Sequence, residues 1–330
     1  MHFKCVRAGV NAFGPDGCRE ILMSSGIVAE MRLIPRSFEY VAPKTLQEAV
    51  SILRKYKGEA KVLAGGHSLV PLMKLRLSNP QVVVDLKYLR PKLAYIKVAG
   101  KTVRIGALTR HAEIEHSAEL KKVVPIMPAA AEWIGDMQVR NMGTIGGSLA
   151  HADPAADWPV VMLALNATFV ANGGAQRKIP ATKFFLGPFT TALKPHEILT
   201  EIQVPVPPSN HGWSWKKFER KAGDFATVNT AVIVVPGRKG EIADVSIAVG
   251  AVHVRPFRAT DAEKVLKGEV PTMDLIREAA EKAAAMSEPS ADLRGSVEYK
   301  REVTKVFVRR ALVEACERAK LLKPEAAVVR

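Results

Sequence analysis

Hydrophobic positions fall into a strand-and-helix alternation from residue 31 onward. In PRSFEYVAPKTLQEAVSILRKY (35–56) a short extended run precedes Pro43-Lys44-Thr45. Leu46, Val50 and Leu53 then recur at helical spacing, which predicts a strand, a helix entry and an amphipathic helix. KVLAGG (61–66) reads as a strand running into glycines, VPLMKLRL (70–77) as a short helix, and QVVVDL (81–86) as a further strand. Together these predict a first α/β unit over 31–86.

The second unit, 87–208, is more broken. AYIKVAGKTVRIGALT (94–109) predicts strand, turn and strand. LKKVVPIMPAAAEWIG (120–135) is helical with its start interrupted by Pro125 and Pro128. RNMGTIGGSLAHADPAADWP (140–159) is dense in Gly, Asp and Pro and is expected to form no regular element, with an apolar helix after Asp157. ATFVANGGAQRKIPA (167–181) predicts a hairpin about Asn172-Gly173-Gly174, and ILTEIQVPVPP (198–208) a strand ended by prolines, hence a boundary. Over 209–330, WSWKKFERK, TVNTAVIVVP and IADVSIAVGAV predict an antiparallel sheet. The rest is helical, with Val303, Val306, Phe307 and Val313 as a packing stripe. Residues 1–30 lack both this patterning and an apolar signal core. They are expected to be a weakly ordered extension or an artefact of the start site, with Met23 and Met31 as alternative starts.

Composition narrows the function classes. Of 330 residues, 48% are hydrophobic and 25% charged, as in soluble globular proteins. The formal charge of +15 raises nucleic-acid binding. The charges are spread along the chain and aromatics are only 6%, so the reading turns to acidic partner proteins or an anionic cofactor, with no nucleic-acid partner. Cys5, Cys18 and Cys316 form no CxxC pair, which points to a reducing cytoplasm and to no iron–sulfur cluster held by this chain. No apolar run reaches the ~18 residues of a membrane span, so none is expected.

Candidate chemistry concentrates in two similar stretches, AGGHSL (64–69) and TIGGSL (144–149). Paired glycines permit positive φ and remove the Cβ that would block a ligand. Successive amides can then converge on an anion, with Ser68 and Ser148 as further donors. Each pair alone is more often an ordinary turn, and it is the two together that bring the ligand reading level. GxGxxG and GxxxxGK[ST] are both missing, which excludes a Rossmann dinucleotide site and nucleotide-triphosphate hydrolysis. Asp153 and Asp157 fit either a sugar-hydroxyl contact or helix capping, with Asp157 as N-cap. His111 and His116 lie five apart, about 140° around a helix, and make no metal pair. No catalytic nucleophile is in view.

LAGGHSLVPLMKLRL, IGALTRHAEIEHS, QVRNMGTIGGSLAHADPAADWP and KKFERKAGDFATVN, taken together, resemble the FAD-binding medium subunit of the molybdenum hydroxylases, in particular the carbon monoxide dehydrogenase branch. The resemblance runs from Ile34 through DLRGSVEYKREVTKVFVRRAL (292–312). It implies an α+β protein. A vanillyl-alcohol-oxidase-type FAD domain would be built from subdomains 31–86 and 87–208, followed by a 209–330 domain of three antiparallel strands and a helix bundle. It also implies that Leu63, Ala64, Gly65, Gly66, His67, Ser68 and Leu69 hold the FAD diphosphate from one side. Thr144, Ile145, Gly146, Gly147 and Ser148 would hold it from the other. Asp153 and Asp157 would bind the ADP portion, and Leu199, Lys217 and Phe225 would lie near the flavin. Phe225 stands where some relatives carry tyrosine, and Ser148 where some carry asparagine.

The resemblance further implies non-covalent FAD and no catalytic residue in this chain. The partners would be a large molybdenum-cofactor subunit and a small [2Fe-2S] subunit in an (αβγ)2 assembly in the cytoplasm, with peripheral membrane association of the complex allowed. The other readings are a stand-alone FAD oxidase of the same fold, in which His67 invites covalent attachment, and a basic interaction module without cofactor.

Overall fold

The computed structural model describes residues 34–323. The first unit holds three parallel strands, β1 (Glu39–Val41), β2 (Ala60–Leu63) and β3 (Val82–Asp85), in the order β1-β3-β2. Helix α1 (Leu46–Lys55) joins β1 to β2. Thr45 caps it by accepting from the Glu48 amide at 3.1 Å, and it buries Ala49, Val50 and Leu53. The short helix α2 (Leu69–Lys74) leads from β2 towards β3. The small core of this unit also takes in Leu108 and Ile198 from the second unit. Arg54 of α1 donates to the Gly173 carbonyl, tying the two units at a second point.

The second unit is a five-stranded antiparallel sheet in the order β4-β5-β10-β6-β7. Its strands are β4 (Ile96–Ala99), β5 (Thr102–Gly106), β6 (Thr168–Asn172), β7 (Gln176–Pro180) and β10 (Ile198–Pro205). The short helix α3 (Arg90–Leu93) precedes it, and a run of short helices covers it: α4 (His111–Glu115), α5 (Ala118–Val123), α6 (Ile126–Ala131), α7 (Met137–Met142), α8 (Ile145–His151) and α9 (Asp157–Ala164). The small hairpin β8 (Phe185–Gly187) and β9 (Thr190–Thr191) is anchored by Phe184 and Phe185, which pack edge-on against Phe169.

The third unit is an antiparallel sheet of four strands, one more than expected. β11 (Gly212–Phe218), β12 (Val228–Pro236) and β13 (Ile242–Gly250) are joined by the two-residue β14 (Phe257–Arg258). Two residues are too few to leave a period in the sequence. β12 is buried on both faces: Ala231 and Ile233 join the core around α9, whereas Val228, Val232 and Val234 join the core under the C-terminal helices. A strand covered on both sides reads as the unbroken apolar run seen here.

The covering helices are α10 (Thr260–Leu266), α11 (Met273–Ala285) and α12 (Val297–Arg318). The buried line of α12 is Lys300, Thr304, Val308, Ala311, Leu312, Ala315 and Cys316. Val303, Phe307 and Val313 pack at its edge, and Val306 lies outside that core, so the expected stripe is displaced. Small residues win the central positions because α12 lies directly on β11. A side chain at Gly212 would collide with the Ala315 carbonyl.

Candidate functional site

The three units meet along one cleft of about 940 Å³. Its first wall is the turn after β2. Gly66 takes φ +79°, which a residue with a side chain adopts only at a cost, and α2 begins at Leu69. No hydrogen bond ties the amides of Gly65, Gly66, His67 or Ser68 to another part of the described chain. A run of consecutive amides facing a cleft without internal acceptors is what an anion needs. The His67 ring is held locally, with Nδ1 2.9 Å from the Gly65 carbonyl oxygen.

The second glycine pair departs from expectation. Residues 145–151 are helix α8 and not an irregular bend, because Thr144 caps the first turn by accepting from the Gly147 amide at 3.1 Å. The remaining amides are also committed: Ile145 donates to Thr109, Gly146 to Ala107, and Ser148 to Thr144. This stretch offers no amide nest. Its glycines serve close packing instead. A Cβ on Gly146 would fall 2.9 Å from the Ala107 Cα, and one on Gly147 would lie 3.8 Å from the Ala64 Cβ. Gly65 in turn sits against α7, where an added Cβ would be 2.7 Å from the Gly143 Cα. The two glycine-rich stretches therefore face each other almost in contact. Ala64 to Leu69, together with Thr144, Gly146, Gly147 and Ser148, line the cleft, whereas Leu63 and the fully buried Ile145 do not.

Asp153 and Asp157 both line the cleft. Asp153 accepts from the Ala155 amide at 2.9 Å. Asp157 is not the N-cap of α9: that position is Ala156, and Asp157 is the first helical residue. Its carboxylate turns instead to Lys217 Nζ at 3.0 Å and Asn229 Nδ2 at 3.1 Å. Burial pushes its pKa up to about 6 against the pull of Lys217. The Lys217 ammonium also meets Glu219 at 3.1 Å and donates to the Trp133 carbonyl at 2.9 Å. A single buried cation thus joins β11 to α9 and to the end of α6. Its charge is answered internally by two carboxylates.

Leu199, on β10, is nearly buried in the cleft wall, and Phe225 stands half exposed at the mouth. The turn that carries Phe225 is pinned through Asp224, which is 3.2 Å from both Arg220 and Arg294. The lining residues that sequence reasoning did not place in the site include His111, His151 and Phe189. His111 was weighed only as a metal ligand. It is in fact buried, and its Nδ1 accepts from the indole of Trp158 at 2.9 Å. An indole only donates, so the neutral ring carries its proton on Nε2. Burial, reinforced by Coulomb interactions with His67 and Arg140, pushes its pKa down to about 3. Among the described residues no cluster of His, Cys, Asp and Glu could hold a metal.

This geometry coincides with known sequence families. Residues 36–207 match the pattern described as "FAD binding domain in molybdopterin dehydrogenase". Residues 213–315 match "CO dehydrogenase flavoprotein C-terminal domain". The chain belongs to the flavoprotein medium-subunit family of the molybdenum hydroxylases.

Members of this medium-subunit family similar to the chain include the glyceraldehyde dehydrogenase medium chain of Sulfolobus acidocaldarius, 42% identical over 86% of this chain and 99% of that one. The carbon monoxide dehydrogenase medium chain of Hydrogenophaga pseudoflava is 40% identical over 87% and 99%. Among solved structures, carbon monoxide dehydrogenase from H. pseudoflava aligns with a TM-score of 0.84 at 41% identity, covering 86% of this chain and 99% of that chain. Quinoline 2-oxidoreductase from Pseudomonas putida 86 aligns with a TM-score of 0.82 at 33% identity over the same shares. The family consists of subunits of oxidoreductases, and its members carry an FAD-binding domain. The described helices include none long and apolar enough to cross a membrane.

Proposed function

We propose that this chain carries non-covalent FAD as the electron-transfer subunit of a molybdenum hydroxylase complex. It takes electrons from the [2Fe-2S] clusters of a small partner and passes them to an external acceptor. A large molybdenum-cofactor subunit oxidises the substrate, and the assembly is cytoplasmic with two copies of each chain.

The observation that carries this reading is the run of uncommitted amides at Gly65–Ser68, set against a wall too close for any side chain at Gly65. A diphosphate supplies the anionic oxygens that those amides lack, and each charged hydrogen bond is worth about 1.5–3 kcal/mol. In this arrangement Ala64 to Leu69 hold the diphosphate. Ser148 and the first turn of α8 close the opposite side, and Asp153 reaches a sugar hydroxyl. Asp157 and Lys217 hold each other and so fix the far wall, beside which Leu199 and Phe225 flank the ring system. Flavin supplies the ability to accept electrons singly and to release them in pairs. The chain positions it and shields it from water.

The test is to titrate FAD into the purified, flavin-stripped full chain while following flavin absorbance and fluorescence. Saturable binding with one flavin per chain, released intact on denaturation, is expected, as is co-purification with a large and a small subunit. A chain indifferent to FAD would overturn the reading.

A further inference from the structure

Phe189 combines features that packing does not explain. It sits at the tip of the β8–β9 hairpin with φ +52°, a left-handed backbone unfavourable for a bulky residue. Its ring is 60% exposed although it lines the cleft. The conformation is nevertheless fixed. The Phe189 amide donates to the Ala152 carbonyl at 3.0 Å, and Ala152 is itself left-handed, at φ +53°. The Thr190 hydroxyl donates to the Pro188 carbonyl at 2.9 Å, and Phe184 and Phe185 root the hairpin in the core. On one side the ring rests on His151, with centroids 5.0 Å apart and planes tilted by 45°. Burial lowers the pKa of His151, so the ring beneath is a neutral aromatic at neutral pH and not a cation. The structure thus spends strain and two anchors to present an aromatic ring to the cleft. His151 ends α8, so the platform stands roughly 9 Å along that helix from its first turn. That is about the distance from a diphosphate to a ring at either end of a dinucleotide.

We propose that Phe189, backed by His151, is a stacking platform for one flat ring of the bound dinucleotide. This rests on the FAD reading above and adds to it a residue that fixes the ligand's orientation. Stacking on an aromatic side chain is sequence-tolerant and contributes enough to change affinity by an order of magnitude or more.

The experiment compares Phe189→Gly and Phe189→Tyr with the unsubstituted full chain, titrated with FAD and separately with FMN. Glycine accepts the left-handed tip and removes only the ring, and tyrosine keeps the ring. Loss of FAD affinity by about tenfold in Phe189→Gly, retained affinity in Phe189→Tyr and an unchanged melting temperature of the flavin-free chains are expected. If FMN binding is unaffected by Phe189→Gly, the stacked ring is the adenine; if FMN weakens in parallel, it is the flavin. Equal FAD affinity of Phe189→Gly and the unsubstituted chain overturns the platform and leaves the FAD reading standing. Failure of the unsubstituted chain to bind FAD overturns both.

Discussion

Substituting Gly65 by alanine isolates the contact between the two glycine-rich stretches. Gly65 does not have positive φ, so the added methyl brings no backbone penalty. Its whole effect comes from space. The new Cβ would stand 2.7 Å from the Gly143 Cα and 2.9 Å from the Met142 carbonyl carbon, with the Met142 oxygen closer still. All three atoms are backbone and cannot swing aside. Restoring ordinary contact requires the turn and the end of α7 to separate by about an ångström, an overpacking cost of about 1–3 kcal/mol. With the diphosphate seated as proposed, the same separation moves the Gly65–Ser68 amides off it. Losing two charged hydrogen bonds at about 1.5–3 kcal/mol each corresponds to a hundredfold or greater loss of FAD affinity. Gly240→Ala is the control: its φ of +85° makes it strained, but no atom lies within 4 Å of the added Cβ and it does not line the cleft. It should lower the melting temperature and leave FAD affinity alone. Flavin fluorescence titration and thermal melts of the flavin-free chains separate the two effects. If Gly65→Ala binds FAD as tightly as the unsubstituted chain, the proposed seat of the diphosphate is wrong.

Lys217→Met should cost about 3–5 kcal/mol in chemical denaturation, because it strands Asp157 and Glu219 in a buried setting; a loss below 1 kcal/mol would show that the cluster is solvated. Asp157 has a folded pKa of about 6 against 3.8 for the free group, so the folded chain holds that proton more tightly. Its stabilising contribution is complete below pH 4 and lost as the pH rises through 6, by about 2–3 kcal/mol, and Asp157→Asn should remove this slope from stability-versus-pH curves. His111 works in the opposite sense: its folded pKa of about 3 lies below the ordinary 6.5, so stability present above pH 6.5 drains away on acidification towards 3. His111→Gln, which still offers Trp158 an acceptor, should reduce that acid loss when the same curves are measured. Thr144→Ala removes the cap of α8 and should cost about 1 kcal/mol of thermal stability with a smaller loss of FAD affinity than Gly65→Ala.

The legible parts of this fold were those fixed by local chemistry. Thr45 before an amphipathic run marked α1, Asn172-Gly173-Gly174 marked the β6–β7 turn, and the β-branched run of β12 marked a strand of the antiparallel sheet. TIGGSLAH misled because two glycines and a following Asp-Pro outweighed, on propensity alone, a single capping threonine. In the folded chain the threonine prevails because both glycines also admit neighbouring backbone, a benefit no local window contains. Asp157 and Lys217 were both named as candidates, but their pairing was not, since sixty positions separate them and only the packing of α9 on the β12–β13 side of the third sheet brings them together. Phe189 carried no signal at all: its left-handed backbone is imposed by Ala152, a residue remote in sequence.

The near-contact of Gly65 with Gly143 makes the cleft floor a seam between two pieces of chain, the smaller of which borrows Leu108 and Ile198 from the larger to complete its core. The Arg54 latch on Gly173 also crosses it. A molecule lodged there acts as a rivet through both plates, so loading should slow amide exchange on the two sides together, in step and by the same factor. Flavin loss would accordingly register first as a loosening of the small parallel sheet against its neighbour, well before either sheet itself melts.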